Sequence, residues 1–226
     1  MTQDEAKKLA GEAALRELPS AGVIGLGTGS TTRFFIEALG RAVQAGGKYI
    51  GVPTSESSRA LASSLGIPLL SDDGPWDIDV TVDGADEVDD ALELIKGGGG
   101  AQTREKIINF ASKRNVIIVD ETKLSSRLGE RWAVPIEVLH FAHAQTAKQL
   151  AAFGVVTTRM RDGAPRMTDS GNFLYDVATG PIASPRALDA ALRNVPGVVE
   201  TGLFCGRADV VLVAGANGVG RLLPNG

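Results

Sequence analysis

The feature that most constrains this chain is a repeated alternation of short apolar runs and amphipathic stretches. "GVIGL" (22–26), "KYIGV" (48–52), "DVTVD" (79–83), "NVIIVD" (115–120) and "ADVVLVAG" (208–215) are almost continuously apolar. Strands buried on both faces read this way, and helices between them cover a parallel sheet on both sides. The intervening stretches have helical spacing. "DEAKKLAGEAALREL" (4–18) predicts a first helix with Leu9, Ala13 and Leu15 on its apolar side, ended by Pro19. Further helices are expected from about Thr31 to Gln44, over "PTSESSRALASSLG" and over "AQTREKIINFASK". "LELIKGGGG" (92–100) reads as one more short strand of the same sheet.

After Arg131 the rhythm changes. "WAVPIEVL", "AHAQTAKQLAAFG", "VVTTRMR", "NFLYDV", "SPRALDAALRNV" and "GVVETGLF" run strand, helix, strand, strand, helix, strand. That order is the split βαβ of ferredoxin-like domains. The fold class is therefore α/β: a Rossmann-like parallel-sheet domain, residues 1–130 plus 206–226, with a small ferredoxin-like α+β domain inserted at 131–205.

Composition narrows the function classes. Of 226 residues, 43% are hydrophobic and 22% charged, enough for a sizeable core. A net charge of −4 and the lack of any Lys/Arg run argue against a nucleic-acid partner. Cys205 is the single cysteine, which suits a reducing compartment. No apolar run reaches the roughly 20 residues of a membrane span. The charged start "MTQDEAKKLA" does not read as a signal peptide. These features together predict a cytoplasmic protein with no membrane partner.

In open parallel sheets, ligands bind beyond the carboxyl ends of the strands. Four unusual loops are expected at that edge. "GLGTGSTT" (25–32) departs from a dinucleotide fingerprint, because Ser30 stands at the third glycine position and no acid ends the next strand. Thr28, Gly29, Ser30 and Thr31 form a hydroxyl-rich turn into a helix, suited to an anion such as a phosphate monoester. A plain helix cap is the alternative. "DGADEVDD" (83–90) has five acids in eight residues but fails the EF-hand pattern. Asp83 and Asp86, flanking Gly84 and Ala85, could hold sugar hydroxyls; a solvated turn or a Mg²⁺ site are the alternatives. Glu87, Asp89 and Asp90 read as solvated.

"KGGGGAQTREK" (96–106) is the third loop. Gly97, Gly98, Gly99 and Gly100 let the backbone approach a small ligand closely. A flexible linker is the bland reading, but apolar "LIK" and "KIINF" flank the run tightly. Lys96 supplies a cation before the run, and Glu105 a carboxylate on the following helix. Lys106 and Lys113 are assigned to that helix's solvated face. The fourth loop is "DETK" (120–123). A base, a cation, hydroxyl clamps and an anion loop fit proton abstraction next to a sugar carbonyl. No complete metal-ligand or cofactor pattern is present, so neither a metal nor a cofactor is expected.

"GLGTGSTT", "TVDGADEVD", "LIKGGGGAQTREKII", "VDETK" and "PGVVETGLF", in order over nearly the whole chain, resemble ribose-5-phosphate isomerases of the A type. Two positions depart: the family commonly has alanine at Gly100 and often leucine at Gln102. The resemblance implies cofactor-free interconversion of D-ribose 5-phosphate and D-ribulose 5-phosphate through an enediolate, in the non-oxidative pentose phosphate pathway. It implies Glu105 as base, with Asp83, Asp86, Lys96 and Lys123 in the active site. It also implies that the Thr28–Thr31 loop contacts substrate, that Lys7 reaches the phosphate, and that the chain forms a homodimer or homotetramer.

Two rival classes remain. One is a sugar-phosphate sensor without turnover, against which stands the short stretch of about 22 residues before the first strand, too few for a DNA-binding module. The other is an amino-sugar phosphate deaminase, which would release ammonia.

Overall fold

The computed structural model describes residues 1–224. Its chain divides into two compact units, one formed by Met1–Ala85, Arg104–Lys123 and the chain from Arg207 onward, the other by Asp86–Thr103 and Leu124–Gly206. The sequence-based boundaries assign residues 86–103 to the sheet domain, whereas this segment packs within the second unit.

The first unit is built on a six-stranded sheet. Its order across the sheet is Gly218–Leu222, Val210–Gly215, Asn115–Asp120, Val80–Asp83, Ala21–Leu26 and Lys48–Pro53. The five strands from Val210–Gly215 to Lys48–Pro53 are parallel, and Gly218–Leu222 pairs antiparallel at the opposite edge from Lys48–Pro53. That edge strand has no apolar signature and is absent from the sequence reading. Ile24, Leu26, Val82, Val116, Ile118 and Leu212 bury one sheet face against Phe35, Ile36 and Leu39 of the helix Ser30–Gln44. The helix Gln3–Ala13 begins with a capping box, Thr2 with Glu5, and continues as a 3₁₀ turn over Ala14–Glu17. It buries Ala6 and Ala10 rather than the expected Leu9, which is exposed. The small side chains allow close approach to the helix Ser30–Gln44: a Cβ on Gly11 would meet the Phe35 nitrogen at 2.7 Å.

The second unit contains a four-stranded antiparallel sheet in the order Val198–Thr201, Val134–Val138, Phe173–Ala178, Val155–Thr158. With the helices His143–Leu150 and Pro185–Arg193, this is the expected ferredoxin-like βαββαβ unit. Val134, Ile136, Val138, Tyr175, Leu150 and Leu192 fill its core. A small antiparallel sheet joins Leu203–Phe204, Leu94–Ile95 and Glu87–Val88. The strand before the glycine run therefore lies outside the parallel sheet where the sequence reading put it.

Candidate active site

In the first unit, the turns that follow four parallel strands carry the polar groups. Asp83 ends its strand and is 2% exposed. Its Oδ1 accepts the N–H of Thr28 at 3.1 Å, that of Gly84 at 2.7 Å and the Thr32 hydroxyl at 3.5 Å. Asp83 thus fixes the "GTGST" turn. Gly27 is required for this approach, since a Cβ there would overlap the Asp83 carboxylate. The Thr28 hydroxyl meets those of Thr54 and Ser55, each at 2.7 Å, and Ser58 at 3.3 Å. Ser58 in turn donates to the Gly27 carbonyl at 2.6 Å. Sequence reasoning missed Thr54, Ser55 and Ser58; the only available signal was the dense hydroxyl run in "PTSESS".

The helix Ser30–Gln44 starts at Gly29 (φ 127°), and no side chain caps it. The plain-cap alternative therefore does not describe Ser30 and Thr31, whose hydroxyls have no protein partner among the described residues. Glu105 sits in the first turn of the helix Gln102–Ala111 and is 2% exposed. Ile108, one turn further on, packs with Val52 and Ile78 against the parallel sheet. Ser112, just past the helix end, bonds Thr81 in the strand Val80–Asp83. Lys106 is buried, not solvated as expected, whereas Lys113 is exposed and pairs with Asp79 at 2.8 Å. Lys123 closes the 3₁₀ turn Glu121–Lys123 after the strand Asn115–Asp120. Lys7, on the first helix, is mostly buried and lies 3.8 Å from Asp4.

In the second unit, Lys96 is 2% exposed and its Nζ lies 5.3 Å from the Phe204 ring centroid. The glycine run is an ordered turn, with Gly100 N–H donating to the Gly97 carbonyl at 2.9 Å. Gly98 N–H donates to Asp86 Oδ2 at 2.7 Å, and a Cβ on Gly98 would meet Asp86 Oδ1 at 2.6 Å. The linker reading is thereby excluded. Glu87 was expected to be solvated but is fully buried, accepting N–H bonds from Gly129 at 2.8 Å and Arg131 at 3.1 Å. Asp89 is half-buried and folds its own turn through the N–H groups of Ala91 and Glu93; burial pushes its carboxyl up. The acids of "DGADEVDD" thus divide between anchoring backbone and facing outward. Among the described residues, no group of three His, Cys, Asp or Glu side chains is placed to hold a metal.

The model of the family described as ribose 5-phosphate isomerase A (phosphoriboisomerase A) matches residues 50–218. The chain belongs to this family. Ribose-5-phosphate isomerase A of Parvibaculum lavamentivorans is 47% identical over 221 residues, 94% of this chain and 95% of that one. The isomerase A of Methanothermobacter thermautotrophicus is 46% identical over 94% of this chain and 95% of its own. Among solved structures, a D-ribose-5-phosphate isomerase in complex with phospho-erythronic acid superposes with a TM-score of 0.95 at 42% identity, covering 99% of this chain and all of that one. A ribose 5-phosphate isomerase A from Methanocaldococcus jannaschii gives 0.93 at 38%, covering 98% and 100%. Asp83, Asp86, Lys96, Glu105 and Lys123 fall within the residues matched by the isomerase A model; Lys7 and Thr28–Thr31 precede them.

Proposed function

We propose that this chain interconverts D-ribose 5-phosphate and D-ribulose 5-phosphate through an enediolate, the reaction its family name describes. The observation that carries the reading is a buried carboxylate, Glu105, in the first turn of a helix that directly follows Lys96 and an ordered glycine turn. A carboxylate near the positive end of a helix is favoured as the anion, the form a base needs. Glu105 removes the C2 proton of the open-chain aldose, the C1=C2 double bond forms, and the carbonyl oxygen takes up negative charge. Lys96 stabilises that oxyanion more than the neutral carbonyl, which is how a fixed charge lowers a barrier. Protonated Glu105 then returns the proton to C1, while the hydroxyl proton passes from O2 to O1.

Asp83, Gly84 and Ala85, and Asp86 with the Gly97–Gly99 amides, are assigned to the substrate on the strength of the family resemblance. Thr28, Gly29, Ser30 and Thr31 take the phosphate, supported by their uncapped helix start. Lys7 and Lys123 join them on the strength of the family resemblance. The same resemblance supports a homodimer or homotetramer, and the single cysteine and family metabolism support a cytoplasmic location.

The test is appearance of ketose from ribose 5-phosphate with purified, metal-stripped protein. Binding without conversion would make the chain a sensor. Ammonia released from an amino-sugar phosphate, with no ketose from ribose 5-phosphate, would make it a deaminase.

A further inference from the structure

The carbonyl side of the glycine run is gripped by two arginines that the reading of the reaction does not use. Arg159 Nη1 donates to the Gly97 carbonyl at 2.7 Å and to the Gly98 carbonyl at 3.2 Å. Arg166 Nη2 donates to the Gly99 carbonyl. Three successive carbonyls are thus held by guanidinium groups. Arg159 is itself locked by a two-pronged ion pair, Nε to Asp176 Oδ2 at 2.9 Å and Nη2 to Asp176 Oδ1. Its backbone is fixed as well: Arg159 N–H donates to Leu174 O at 2.9 Å, and Arg166 N–H to Arg159 O at 2.8 Å. Holding two cations side by side has a cost, since burial and then Arg159 and Arg161 push the Arg166 guanidinium below its ordinary value. Further along the chain, buried Glu137 binds Thr103 at the start of the helix, together with Thr168 and Asn172.

Each gripped carbonyl belongs to a peptide whose N–H is on the next residue. The Gly97–Gly98 peptide donates to Asp86. The Gly98–Gly99 peptide places its N–H on an exposed residue, where it has no protein acceptor among the described residues. A cation on a carbonyl oxygen draws electron density from the amide and strengthens its N–H as a donor.

We propose that Arg159, locked by Asp176 and backed by Arg166, is a positioning residue for the isomerase reaction. It fixes and polarises the glycine-run peptides, so that Gly98 N–H orients Asp86 and Gly99 N–H is offered to a substrate oxygen. This rests on the isomerase reading above. Four glycines in a row have no side chains to hold their own conformation, and the arginine fork supplies that order from the opposite side.

The experiment compares Arg159→Met, Arg159→Lys and Asp176→Asn with the parent. It measures kcat, KM for ribose 5-phosphate, affinity for phospho-erythronic acid, and amide hydrogen exchange over residues 96–101. Arg159→Met should lower kcat by about 10–100-fold, less than the ~10²–10³-fold of deleting an oxyanion donor outright, because the N–H remains but is less well held, while KM changes by less than about 3-fold. Exchange at Gly98 and Gly100, whose N–H groups are hydrogen-bonded, should quicken at least ~10-fold. Arg159→Lys should recover little, because an ammonium cannot span two carbonyls and a carboxylate together. A folded Arg159→Met protein with parent-like kcat, or a loss confined to KM with loop exchange unchanged, overturns the proposal. If Arg159→Met does not fold, Asp176→Asn decides, since it keeps the arginine and the shape but weakens the lock. There a ~3–10-fold loss in kcat with faster loop exchange supports the proposal, and parent behaviour in both overturns it. Absence of ketose from the parent would sink the isomerase reading instead, and loop exchange would still report on the grip.

Discussion

Glu105 carries the sharpest expectation at the scale of a single residue. Glu105→Gln preserves volume and a hydrogen-bonding oxygen but removes the base. It should bind ribose 5-phosphate but turn it over at least ~10²-fold more slowly, the low end for losing a positioned base. Near-parent kcat would reject the assignment and leave Asp83 as the next candidate. Gln102, three residues earlier, is fully buried with neither amide atom bonded. An unmet buried amide costs roughly 1–3 kcal/mol. Gln102→Leu, the residue common in the family, should therefore raise the melting temperature by several degrees, about 2–4 °C per kcal/mol at this chain length. A lower melting temperature would mean that the amide has a partner in solution, such as a bound water.

At the scale of elements, the "GTGST" turn separates two kinds of hydroxyl. Those of Thr28, Thr54, Ser55 and Ser58 bind one another. Those of Ser30 and Thr31 do no capping, because the helix begins on Gly29. Replacing Ser30 and Thr31 together by Ala should leave thermal stability nearly unchanged, whereas a lost cap would cost about 1 kcal/mol. Affinity for ribose 5-phosphate and inhibition by free phosphate should both weaken. Unchanged affinity in isothermal titration would remove the phosphate role from this turn. The turn from strand into helix was legible in the sequence, because glycine and hydroxyl punctuation after an apolar strand has few structural uses. The parallel strands and the βαββαβ order were legible for the same reason: their periods are local. The sheet to which Leu94–Ile95 belongs was not, because two apolar residues pair equally well in any sheet, and the partner, Leu203–Phe204, lies more than 100 residues away. Burial of Glu87 and Lys106 was hidden too, since an anchoring charge and a solvated one have the same letter. The Arg159–Asp176 clamp left no local trace, being a side-chain grip on backbone carbonyls about 60 residues distant.

At the scale of the whole molecule, the order in which the chain supplies its strands sets what can be removed. The strand Val210–Gly215 is the last of the parallel strands along the chain but sits inside the sheet, between Asn115–Asp120 and the edge strand Gly218–Leu222. It is docked at its start by Asp209, whose Oδ2 accepts the Asn115 N–H at 2.7 Å and whose own N–H donates to Asn115 O at 3.0 Å. Val210, Val211, Leu212 and Ala214 are all buried. At roughly 1.5–3 kcal/mol for each large apolar side chain, their loss is comparable with the 5–15 kcal/mol that holds a typical domain folded. A chain ending at Gly206 also exposes Asn115–Asp120 as a long apolar sheet edge, which invites aggregation. It should be insoluble or lack a cooperative thermal transition. A chain ending at Ala216 loses only the edge strand, including Arg221, whose Nε bonds Glu17 Oε1 at 3.0 Å. That partner is replaceable, because Arg114 also binds Glu17, and exposed ion pairs contribute about 1 kcal/mol or less. The shorter loss should leave a soluble protein with a cooperative but lower melting transition. Circular dichroism melts of the two truncations decide the matter: a soluble, cooperatively folding chain ending at Gly206 would show that the sheet closes without its last parallel strand.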